Sequence, residues 1–73
     1  MKPGDMVGNL DGKSRSKLFS TPLSSYETRR TVGLLTGIGI VLDLHGSDVR
    51  ILNHEGVAGW TFAGNLRCLN ETW

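Results

Sequence analysis

The stretch T36-G-I-G-I-V-L-D-L44 decides how this chain is read, because its two glycines suit either a phosphate-cradling loop or a strand of a small barrel. Even positions carry Ile38, Ile40, Leu42 and Leu44, and odd positions carry Gly37, Gly39, Val41 and Asp43. That alternation has the period of a strand. A helix would scatter the aliphatics around its circumference and lose about 1 kcal/mol at each glycine relative to alanine. A dinucleotide fingerprint would need a third glycine three residues after Gly39 and then an amphipathic helix, but Leu42 stands there and the chain runs on to a His45-Gly46-Ser47 turn. No Gly-Lys-Ser/Thr follows either, so a P-loop is excluded on the same residues. The expectation is a strand that sends Ile38, Ile40, Leu42 and Leu44 into one apolar interior, with Gly37 and Gly39 permitting a bend, a bulge or the close approach of another segment.

Working outward, strands are expected on both sides. "KPGDMV" (2–7) opens on a Pro-Gly turn and enters a first strand with Val7 in the core. "DVRIL" (48–52) sets Val49 and Ile51 on one face and Arg50 on the other, and "NHEG" (53–56) supplies a tight hairpin. "VAGWTF" (57–62) places Ala58, Trp60 and Phe62 together, Trp60 and Phe62 being expected to cover an open end of the barrel. "AGN" (63–65) reads as one 3-10 turn before a last strand "LRCL" (66–69), where Cys68 is expected to point inward with Leu66 as a small hydrophobe. The fold class is therefore all-β: one domain over residues 1–73, a small five-stranded barrel with a long loop between its first two strands. A chain of 73 residues buries only about 60% of its extended surface, which leaves one modest core.

The long loop, 9–30, is the segment of greatest functional interest. It is rich in Ser and Thr, contains Asp11-Gly12 and Thr21-Pro22 as breakers, and carries Lys13, Arg15, Lys17, Arg29 and Arg30 against Asp11 and Glu27, a net +3. Residues 36–62 hold Arg50 against Asp43, Asp48 and Glu55, a net −2. An anion would thus be met by the loop and not by the regular part of the chain. Leu18, Phe19, Leu23 and Tyr26 are expected to tack the loop to the body or to form a contact patch.

Catalysis and metal binding find no support in these residue types. His45 and His54 fall in turns without further ligands at close spacing, Cys68 is the single thiol, and no nucleophile elbow or paired-carboxylate arrangement is present. No cofactor and no small-molecule substrate is implied. No run of about 18 apolar residues occurs, and the start has no signal-peptide core, so neither a membrane nor a secretory destination is expected.

The succession "KPGDMV", a long loop, "GIGIVLDL", "VRIL", "EGVAGWTF", a one-turn break and "NLRCL" resembles the small SH3-like barrels of tailed bacteriophages over about half the chain. The resemblance implies a non-enzymatic module that binds protein or builds structure, such as a minor virion or decoration protein, in the host cytoplasm or the virion. One tyrosine and no acidic, aromatic-rich first loop argue against polyproline recognition. Ribosomal and transcription-factor KOW modules share the "GxGxV" of residues 37–41, but here that hairpin is acidic. On the protein-contact reading the contacts are Leu18, Phe19, Tyr26, Trp60 and Trp73, with a partner protein or self-assembly as the occupant. The alternative is a nucleic-acid accessory protein whose phosphate contacts are Lys13, Arg15, Lys17, Arg29 and Arg30.

Overall fold

The computed structural model describes residues 1–22 and 28–69. Seven antiparallel strands form one strongly curled sheet, a half-barrel: β1 Met6–Asn9, β2 Ser16–Phe19, β3 Thr31–Leu35, β4 Gly39–His45, β5 Asp48–Leu52, β6 Ala58–Phe62 and β7 Leu66–Cys68. Their spatial order is β3-β2-β6-β5-β4-β1-β7, and a 3-10 turn, Ala63–Asn65, precedes β7. The all-β reading holds, but the strand count rises from five to seven. The additional pair comes largely from the expected long loop: Ser16–Phe19 lies inside it and Thr31–Leu35 directly follows it, and the two form a ladder from Ser16↔Leu35 to Phe19↔Thr31. The basic residues concealed this strand, since Arg15 and Lys17 look like loop composition until Ser16 and Leu18 are seen alternating with them as buried positions.

Inside the curl lie Val7, Leu18, Leu35, Val41, Val49, Ile51 and Leu66. At about 25 cal/mol per Å² of apolar surface, these seven side chains supply the main driving force for a chain of this size. Val7 in the first strand and Val49 with Ile51 in the fifth stand where the alternation places them. Gly56 has φ +82° in the tight hairpin after β5, closed by Asn53 N donating to Val57 O at 2.9 Å.

The central strand is the chief correction. Thr36–Leu44 does contain a strand, but Gly39 and Val41 face the core in place of the even-numbered aliphatics. Val41 is 1% exposed, whereas Ile38 is 53% and Leu42 and Leu44 are each 38% exposed, with Ile40 half-buried. Two physical causes are visible. First, Gly39 faces inward because nothing larger fits: a Cβ there would collide with Ile51 Cγ2 and come within 2.8 Å of Leu35 Cδ1. Second, the ladder with β5 shifts between Val41 and Asp43, so Leu42 sits at a bulge and residues beyond it exchange faces. Ile40↔Leu52 is an outer pair, Val41↔Ile51 an inner pair, and Asp43↔Arg50 is outer again. Leu44 consequently joins the Val49 side, but at the exposed tip of the hairpin.

The curl closes through side chains. β3 and β7 end the sheet order, and the seam near β3 is stitched by two asparagines. Asn9, 4% exposed, donates from Nδ2 to Leu35 O at 2.9 Å and to Ser14 O, and its Oδ1 accepts the Ser16 hydroxyl. Asn53 donates to Leu34 O at 3.0 Å while its Oδ1 accepts from Glu55 N and Val57 N, each at 2.9 Å. These bonds give the two buried asparagine side chains partners across the seam.

Candidate functional site: the outer face of the sheet

The outer face is built from alternate residues of each strand, and the ladder dictates which side chains meet. In β5 and β6, Gly59 and Thr61 turn inward, so Arg50↔Trp60 and Leu52↔Ala58 are outer pairs. Trp60 in turn lies opposite Phe19 of β2. Both rings are half-buried; Trp60, expected to cover an open end of the barrel with Phe62, instead pairs across the sheet with Phe19 and Arg50. The Arg29 guanidinium carbon stands 5.5 Å from the centre of the Phe19 ring, within cation–π range, and His45 meets Trp60 edge-on at 6.4 Å between ring centres. Phe62, on the same side, is 43% exposed.

A second, apolar area covers β4, β1 and β7. Met6 lies opposite Ile40, and Ile38 and Leu69 border a shallow depression of about 180 Å³ with Gly8 and Arg67. Gly8 leaves room for Leu69, whose Cδ1 would lie 3.3 Å from a Cβ at that position. Met6 at 38%, Ile38 at 53% and Leu69 at 39% exposure make this the apolar region of the outer face.

The larger groove, about 600 Å³, runs beside Asn9, Leu10, Asp11, Arg15 and Asn65. Its polar walls are occupied in holding the fold together. The Asp11 carboxylate accepts Lys13 N at 2.9 Å, Ser14 N at 2.8 Å and the Ser14 hydroxyl, and these bonds, the Ser14 hydroxyl foremost, hold its pKa down at about 2. Gly12, at φ +73°, completes the turn by donating to Asn9 O at 2.9 Å. Asn9, Asp11 and Ser14 are thereby committed to the fold, while Arg15 stays exposed on the groove wall.

The five protein contacts read from the sequence fare unequally. Phe19 and Trp60 come together on the outer face. Leu18 does not join them: it is fully buried, packed against the Gly59 backbone, and is a core residue. Tyr26 and Trp73 lie outside the described residues. All five basic positions, Lys13, Arg15, Lys17, Arg29 and Arg30, are exposed. Cys68 is half-buried, and its thiol donates to Asp5 Oδ2 at 3.3 Å. Asp5 also accepts Lys2 N at 2.9 Å and Lys2 Nζ at 3.0 Å, and the hydrogen bond from the Lys2 side chain is the chief cause holding its carboxyl below the usual range. That cluster ties the chain start to β7. Among the described residues no group of three or more His, Cys, Asp or Glu converges on a metal-sized site, and no helix is long and apolar enough to cross a membrane.

Sequence reasoning missed the apolar area because it assigned Ile38 and Ile40 to the core. The available signal was the pair of glycines: a strand whose small residues alternate with aliphatics can turn its small side inward when a neighbour fills the space, as Ile51 and Leu35 do for Gly39. Comparison of the chain with protein-family models, curated proteins and solved structures finds no match.

Proposed function

We propose that this chain is a non-enzymatic contact module that seats the outer apolar area of β4, β1 and β7 on a second copy of itself. The observation that carries the reading is the outward position of Ile38, Ile40, Met6 and Leu69 beside β7, the last strand in the sheet order. Exposed aliphatics gathered at a sheet end mark an association surface, and antiparallel addition along β7 would bring the two areas together while extending the ladder. Arg67, on the same depression, gives that surface a polar rim.

Within this reading the architecture is an SH3-like barrel. Its support is the run β7-β1-β4-β5-β6, a meander closed by the last strand on the first, with the β2–β3 hairpin carried in the first connection and a 3-10 turn before β7. A minor virion or decoration subunit of a tailed phage is the specific role proposed. A subunit of that kind works by seating one face on a neighbour.

Sedimentation velocity from low to high micromolar concentration tests the contact. Wild-type protein is expected to move from monomer toward dimer, and the Ile38→Lys, Leu69→Glu double variant to stay monomeric with an unchanged far-ultraviolet circular dichroism spectrum. A wild-type chain that stays monomeric throughout overturns the reading.

A further inference from the structure

A second surface carries chemistry that the apolar area does not. Arg15 and Lys17 alternate with the buried Ser16 and Leu18, so both point out from the β2 run, and the next residue on that side is Phe19. Alternate residues of a strand lie about 6.6–6.8 Å apart, a spacing commensurate with successive phosphates of an extended single strand. The row ends at the Phe19↔Trp60 pair, flanked by Arg29 over the Phe19 ring and by Arg50 opposite Trp60. Arg30 is exposed next to Arg29. Among the described residues, the acids near this row are Asp11, which shares a groove wall with Arg15 and accepts Lys13 N and Ser14 N, and Asp43, which pairs in register with Arg50; Asp48, opposite Phe62, is 4% exposed.

A line of cations leading to adjacent aromatic rings is the arrangement by which proteins hold single-stranded nucleic acid: cations follow the backbone while bases stack on the rings. Duplex DNA offers phosphates but no unstacked base, so the rings would add nothing to its binding. We infer that the outer face of β2 and β6 binds single-stranded nucleic acid, with Arg15, Lys17 and Arg29 at phosphates and Phe19 and Trp60 as the stacking platform. The apolar area of β4, β1 and β7 is a different surface, so this site and the proposed self-contact stand or fall separately.

Fluorescence anisotropy with labelled oligothymidylate, set against a duplex of equal length at low and physiological salt, tests the inference. Single strand is expected to bind more tightly than duplex. Trp60→Leu should weaken it by about 5- to 150-fold. Removing two phosphate contacts in the Arg15→Gln, Lys17→Gln double variant should flatten the logarithmic salt dependence by about 1.4. Both positions of that double variant are exposed, so it keeps the test available even if Trp60→Leu fails to fold. Absence of binding at low salt overturns the inference, as does equal affinity for duplex that Trp60→Leu leaves unchanged. Self-association abolished by Trp60→Leu, without oligonucleotide binding, would reassign the face to protein contact and overturn it equally.

Discussion

Asn9 holds more of this molecule together than its type suggests. Its amide donates to backbone carbonyls of Ser14 and Leu35, and its oxygen takes the Ser16 hydroxyl, so one side chain joins β1 to both strands of the β2–β3 hairpin. Asparagine suits the position because it offers two donors and an acceptor at the end of a short stem. Aspartate has nearly the same shape and no donors. Asn9→Ala is expected to cost about 1–3 kcal/mol, the penalty for orphaning buried polar groups, and Asn9→Asp more, because it sets a carboxylate against the Leu35 carbonyl. Urea denaturation measures both. A loss below about 0.5 kcal/mol for Asn9→Ala would show that the seam does not depend on this residue.

At the scale of the element, the turn joining β1 to β2 is organised by Asp11, whose carboxylate gathers Lys13 and Ser14. Its pKa lies at about 2 in the folded chain against an ordinary 3.8. A depressed carboxyl stabilises the fold fully above the unfolded value and loses that contribution as pH falls through the folded value. The stability difference between wild type and Asp11→Ala should therefore be constant above about pH 5 and shrink as pH falls toward about 2. Thermal unfolding of both proteins at matched pH checks this, and a difference that persists unchanged at pH 2 contradicts it. Asp5 titrates downward in the same direction, which is why the comparison is made between variants and not on wild type alone.

Element existence was largely legible in the sequence. The period-two runs located β1, β4, β5, β6 and β7, and the single 3-10 turn stands at Ala63–Asn65 as read. Facing was less legible in β4. Alternation states that two faces differ but not which is inside, and here the side carrying Gly39 and Val41 won because Ile51 and Leu35 fill the space above the glycine. The β2–β3 hairpin was hidden for another reason. β2 spans four residues, only two of them buried, and its exposed partners include a lysine, so hydrophobic pattern gave it no weight. Of the candidate site, the aromatic members Phe19 and Trp60 were named from the sequence, but their cross-strand pairing follows from a strand that pattern did not reveal.

For the whole molecule, the consequence of these facings is a sheet curled around seven aliphatic side chains, with further aliphatic and aromatic side chains left on its outside. The interior holds three valines, three leucines and one isoleucine, while the outer surface carries Phe62, Ile38, Leu69 and Met6. Both proposed contacts follow from these facings: the apolar area exists because Gly39 and Val41 turned in and left Ile38 and Ile40 outside, and the cationic row because β2 turned Ser16 and Leu18 in. The most direct test compares lysines at two positions three residues apart, Ile38 just before β4 and Val41 within it. Urea denaturation of Ile38→Lys should leave stability within about 0.5 kcal/mol of wild type, whereas Val41→Lys, which forces a charge into the curl, should cost several kcal/mol or prevent folding. The reverse outcome, a tolerated lysine at Val41 and a disruptive one at Ile38, would contradict the account.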